Sequence, residues 1–285
     1  MTDRPEIGAT LDHLHIESDD PAALAQHFGA LLGARPREHA SNFICQGPRR
    51  TLIVGHGQKN RLGFAAFRFA DARALQRYRA RLRDRGADIA ANPSPLFSTD
   101  AFSVRDPDGN RLVFGVATCA PPARRADPSD SIAPAARLQH FGMRTCDPER
   151  LSAFYCDMLE FTLSDRINDS SGKLRAAFCR TNHEHHSIAL FLAPEPRIDH
   201  ISFDTPDVIG IRDWADYMGA QRAPIFWGVG RHGPGNDLFF MVQDRDSNLI
   251  EISSELEQCD PERAVREWPY ENWTMNRWGP TFMRS

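Results

Sequence analysis

Three side chains in the second half of the chain belong to types that bind divalent metals: His140, His200 and Glu251. Each stands in an apolar stretch with the character of a strand, in LQHFGM, RIDHISF and NLIEI. A carboxylate in such a strand is costly unless it is paired or bound to a cation. Two histidines and one carboxylate on three strands of one sheet can converge on a single ion. That set suits Fe(II) and leaves coordination positions open for a substrate and O2, and Mn(II) accepts the same ligands. Hydrogen-bonded core histidines and an edge-strand glutamate would account for any one of the three alone, but poorly for all three together.

An internal repeat supplies the control. LDHLHIESDDPAALAQHFGALLGA, from Leu11, matches LQHFGMRTCDPERLSAFYCDMLEF, from Leu138, at a constant offset of 127 residues. His13 aligns with His140, Asp20-Pro21 with Asp147-Pro148, and Phe28 with Tyr155. The first copy carries His13, Phe64 and Val113 where the second carries His140, His200 and Glu251. Phe64 and Val113 suit a packed strand; a histidine and a glutamate in their places need another reason.

The elements that position these residues follow from the pattern. Each copy opens with a strand. An Asp-Pro pair then starts a helix, since Asp can accept from first-turn amides and Pro tolerates the first helical position. Leu151, Tyr155, Met158 and Leu159 form one apolar stripe at helical spacing. A central strand is expected over residues 62–69 and 197–203, and a second helix over 71–85 and 208–219. Both copies close as strand, Asp-rich turn, strand, in AFSVRDPDGNRLVF and LFFMVQDRDSNLIEI. Each half therefore reads β-α-β-β-β with one added helix, an α+β fold. The expected organisation is a structural module without metal over residues 1–118, a Pro/Ala-rich linker over 119–136, a metal-binding catalytic module over 137–255, and a tail over 256–285. The tail carries Trp268, Trp273 and Trp278 and is expected to be a lid or an interface.

Composition narrows the function classes. The 285 residues carry a net charge of −4 and a pI near 6.3, which disfavours a nucleic-acid binder with a basic surface. No apolar run approaches the ~20 residues of a membrane span, and MTDRPEIGAT is too polar for a signal peptide. The six cysteines, Cys45, Cys119, Cys146, Cys156, Cys179 and Cys259, include no CxxC pair. They read as free thiols in a reducing cytoplasm.

The repeat, the three ligand positions and the run HHSIALF ahead of His200 together resemble the vicinal oxygen chelate superfamily. Within it they resemble the type I extradiol ring-cleavage dioxygenases, the dihydroxybiphenyl and homoprotocatechuate dioxygenases among them. The resemblance covers nearly the whole chain. It implies two tandem modules of paired βαβββ units in a cupped mixed sheet, with the metal in the second. It implies His140, His200 and Glu251 as the ligands of Fe(II), with Mn(II) as the other option. It assigns proton transfer to His186, with His185 beside it as a substrate contact. WGVGRHGPGND resembles the family's active-site loop, which makes His232 a catalytic candidate and Asn236 and Asp237 substrate contacts. Ten residues before the metal-binding glutamate the family has a tyrosine that reaches the substrate; here the position is Met241. The implied activity is ring cleavage of a catechol-type diol by O2 in a cytoplasmic homo-oligomer, with no nucleic-acid or membrane partner. The same superfamily holds glyoxalase-like isomerases, oxygenases of non-catechol substrates and metal-free binding proteins. The full triad speaks against a binding protein, and a first copy offering only His13 speaks against ligands shared between modules.

Overall fold

The computed structural model describes residues 6–118 and 133–281. Most of the expected linker, residues 119–132, and Cys119 lie outside the described residues.

Each half contains two βαβββ units. The first runs β1 (Thr10–Ser18), α1 (Pro21–Leu32), β2 (Arg35–His39), β3 (Asn42–Gly47) and β4 (Arg50–His56). The second runs β5 (Leu62–Arg68), α2 (Ala72–Asp84), β6 (Ile89–Ala91), β7 (Phe102–Arg105) and β8 (Arg111–Gly115). The other half repeats the plan with β9 (Arg137–Thr145), α3 (Pro148–Ala153), β10 (Thr162–Asn168), β11 (Leu174–Arg180) and β12 (Ile188–Leu192). It continues with β13 (Arg197–Asp204), α4 (Val208–Ala220), β14 (Trp227–Arg231), β15 (Leu238–Gln243) and β16 (Leu249–Ser254). The tail adds β17 (Arg266–Pro269) and α5 (Asn272–Met275). The pattern of residue types picks out one unit per half and misses β2–β4 and β10–β12. The reason is visible in β2, RPREH, which is exposed throughout and has no apolar alternation to read.

The sheets have matching orders. The first is β2-β3-β4-β1-β5-β8-β7-β6, and the second is β14-β15-β16-β13-β9-β12-β11-β10, extended by β17 at its edge. Each unit starts its helix in the same way. Asp20, Asp71, Asp147 and Asp207 accept from the amides of Ala23, Ala74, Arg150 and Gly210, which satisfies an otherwise orphaned donor of the first turn.

One face of both sheets, with the helices, forms a shared core around Phe67, Phe114, Phe141 and Phe203. The opposite faces differ between the halves. In the first, Ile44, Ile53, Phe64, Phe97 and Val113 fill the space with hydrocarbon. In the second, an apolar wall of Ile167, Phe178, Phe191, Trp227 and Phe239 surrounds polar groups. Strand register makes the comparison residue by residue. His13 pairs with Ala66 across β1 and β5, and Ala66 with Val113 across β5 and β8. His140 pairs with Ser202 and Ser202 with Glu251 on the corresponding strands.

Candidate metal centre

His140 on β9, His200 on β13 and Glu251 on β16 stand on three adjacent strands of the second sheet. A register shift between Ile198 and His200 precedes the second histidine. His200 lies opposite Gly142, and a Cβ at 142 would stand 2.5 Å from the imidazole Cε1. Only glycine lets the ring lie across β9 there. In the first copy the residue matching Gly142 is His15, whose ring stacks on Phe64 at 5.2 Å.

The three candidate ligand atoms lie within 4.8 Å of one another. His140 Nε2 is 3.2 Å from His200 Nε2 and 3.3 Å from Glu251 Oε1. All three side chains are buried. The other ring nitrogens are engaged: His140 Nδ1 donates to Gln139 Oε1 at 2.5 Å, and His200 Nδ1 donates to Asp199 Oδ1 at 2.8 Å. Asp199 is itself held by Arg144 at 2.8 Å. With a proton on each Nδ1, both Nε2 atoms carry lone pairs, and these point at each other and at a carboxylate. Burial keeps His140 neutral, its pKa pushed down to about 4. Burial alone would raise the Glu251 carboxyl, but the surrounding imidazoles together hold it well below the usual carboxylate range. Two buried lone pairs and an anion in mutual contact repel one another until a cation sits among them. The donor set and the carboxylate and amide groups behind it fit a divalent metal.

The other candidates take distinct places. His186 lines the cavity, with its ring 4.2 Å from that of His140, and burial holds it neutral, well below the ordinary histidine pKa. His232 also lines it. Its ring stacks on Phe239 at 3.7 Å, its Nδ1 donates to the Met275 carbonyl at 2.6 Å, and its Nε2 is 3.5 Å from Glu251 Oε2. Burial pulls the His232 pKa down, but Glu251 and Asp237 outweigh it and carry the ring above its ordinary value. Asp237 faces the cavity with no partner on either carboxylate oxygen, and burial pushes its pKa up to about 7. Three other candidates do not line the cavity. His185 is screened behind His186. Asn236 is exposed, turned away at the left-handed φ of 54°. Met241 lies directly across from Glu251 on the neighbouring strand but packs into the apolar wall with Trp227 and Phe239.

Pattern reading missed the walls. Ile167, Phe178, Ala189 and Phe191 come from β10–β12 and the strand ends beside them. Thr274 and Met275 come from α5, so the tail closes over the cavity, while Trp273 and Trp278 remain exposed.

The family model described as the Glyoxalase/Bleomycin resistance protein/Dioxygenase superfamily matches residues 137–252, the segment that carries all three candidate ligands. Residues 137–252 are a domain of this superfamily. The chain is 25% identical to Metapyrocatechase 2 of Cupriavidus necator, over 95% of its own length and 89% of the relative's. It is 29% identical to Biphenyl-2,3-diol 1,2-dioxygenase of Pseudomonas sp. strain KKS102, over 70% and 72% of the two chains. Homoprotocatechuate 2,3-dioxygenase of Brevibacterium fuscum, solved as an anaerobic complex with 3,4-dihydroxyphenylacetate, superposes with a TM-score of 0.81 at 24% identity. The match covers 98% of this chain and 92% of that one, and it establishes the tandem-module fold. Among the described residues no helix is long and apolar enough to cross a membrane.

Proposed function

We propose that this protein is an Fe(II)-dependent extradiol dioxygenase that opens the ring of a catechol-type diol with O2, Mn(II) being the alternative metal. The observation that carries the reading is the convergence of the His140 and His200 Nε2 atoms beside Glu251, in a cavity walled by Phe178 and Phe191. A bound Fe(II) supplies a Lewis-acid centre at which a diol and O2 can be held side by side. The chain's own groups do the rest. His186, neutral and against His140, accepts a proton from a diol hydroxyl. His232, fixed by the Met275 carbonyl, presents Nε2 to oxygen atoms bound beside Glu251. Asp237, with two unpartnered oxygens, meets a donor on the substrate. The apolar walls stack on the aromatic ring and exclude water.

The test is anaerobic loading with Fe(II) or Mn(II), metal analysis, and then a panel of substituted catechols with O2 uptake and a scan for yellow ring-opened products. One metal per chain and stoichiometric O2 uptake with at least one diol are expected. A fully loaded protein that consumes O2 with none of them is not a catechol dioxygenase.

A further inference from the structure

A line of buried polar side chains leads away from the cavity behind His186. His186 and His185 meet Nδ1 to Nδ1 at 3.0 Å, with their rings at 89°. On its far side, His185 Nε2 lies 3.1 Å from Asp165 Oδ2, a close charged contact that falls outside hydrogen-bond geometry. Asp165 also accepts from Trp268 Nε1 at 2.7 Å and from Arg263 at 2.8 Å. His185 and Asp165 are both fully buried. Arg263 is held in turn by Glu257 at 2.8 and 3.0 Å. The donors to Asp165 come from the tail, beyond the end of the superfamily domain at residue 252.

The protons on this line follow from the donor inventory. Burial pushes the Asp165 carboxyl up, but His185, Arg263 and Trp268 more than offset it and keep it ionised. A carboxylate oxygen 3.1 Å away favours the His185 tautomer that carries its proton on Nε2. A neutral His185 then has a lone pair on Nδ1. His186 must donate its own Nδ1–H to that lone pair, which leaves the His186 Nε2 lone pair for the cavity.

We propose that Asp165 and His185 are positioning residues for His186: they hold its ring and fix the tautomer that is protonated on Nδ1 and unprotonated on Nε2. The proposal rests on the reading of His186 as the proton acceptor, and it gives the tail a part in catalysis through Arg263 and Trp268.

The tautomer can be read without turnover. Full-length protein carrying 15N-histidine and loaded with Zn(II), a diamagnetic stand-in, reports ring protonation by NMR, with His186 assigned by its absence in His186→Gln. Wild-type His186 is expected to be protonated on Nδ1. In His185→Phe the signal should move toward the Nε2-protonated form. With Fe(II), kcat should then fall at least about tenfold while KM stays within about twofold and metal content is unchanged. Asp165→Leu should do the same, and Asp165→Asn, which keeps an acceptor oxygen, should recover most of the loss. If Asp165→Leu strands Arg263 and fails to fold, His185→Phe still decides, because it leaves the Asp165–Arg263 pair intact. A wild-type His186 protonated on Nε2, or a His185→Phe variant with unchanged tautomer and kcat, overturns the proposal. If wild type oxidises no diol, the functional reading falls while the spectrum alone still decides the relay.

Discussion

Each histidine of the centre is aimed by what lies behind it. Gln139 and Asp199 fix the His140 and His200 tautomers, and Ser202 donates to Glu251 Oε1 at 2.8 Å. Glu251→Ala and His200→Ala should each abolish metal binding, read by metal analysis after gel filtration; full metal content in both would refute the assignment. Gly142 offers a finer test. A methyl group there must displace the His200 ring, since the two cannot coexist at 2.5 Å. Gly142→Ala should keep the fold and weaken metal binding by about 10–100-fold, the usual scale for disturbing a ligand's support, measured by competition with a chelator. Affinity equal to wild type would mean that the ring has room to move aside. The ligands were legible because the repeat sets them against Phe64 and Val113. Ile167, Phe178 and Phe191 were not, because an apolar strand residue looks the same whether it packs a core or walls a cavity.

At the level of elements, the closing turns of the two halves share one design. Asp106 Oδ1 accepts from the amides of Asp108 and Asn110, and Asp244 Oδ1 accepts from those of Asp246 and Asn248. The Asp-rich hairpins were readable because such residues satisfy their own turn amides. β10 was not readable, because TLSDRIN buries Ser164 and Asp165 where alternation calls for hydrocarbon; its aspartate is satisfied by Trp268 and Arg263 from far along the chain. Asp244 carries a pH signature. Burial pushes its pKa up from 3.8 to about 6. The folded chain thus binds this proton more tightly than the unfolded chain. The stabilisation is fully present below about pH 4 and is lost as pH rises through 6. Between pH 5 and pH 8 wild type should lose about 1 kcal/mol more than Asp244→Asn, read from urea midpoints at the two pH values. Parallel losses in both proteins would show that Asp244 titrates normally.

Across the whole molecule the halves are locked reciprocally through those turns. Tyr155, beside α3, donates to Asp106 at 3.1 Å, and Ser18, at the end of β1, donates to Asp246 at 2.5 Å. Tyr78 of α2 also donates to the Leu159 carbonyl at 2.7 Å. The first half therefore buttresses the second while its own inner face is closed by Phe64, Phe97 and Val113. His13 is the remnant that decides whether this division is real. It holds the place of His140, yet its Nδ1 is 2.7 Å from Asp12 and its Nε2 is 2.7 Å from Ser94 Oγ, so both nitrogens are spent within the half. Its ring meets Phe64 and Phe97 edge-on at 5.7 and 4.9 Å. Replacing His13 with Ala leaves Ser94 Oγ with the Leu96 amide alone and opens a hole between two aromatic rings, a cost of about 1–3 kcal/mol. Metal content and turnover per bound metal should not change, because no atom of His13 belongs to the His140–His200–Glu251 set. Thermal denaturation, metal analysis and O2 uptake on the same preparation separate the two effects, and a well-folded His13→Ala protein that has lost its metal would show that the first half does more than support the second.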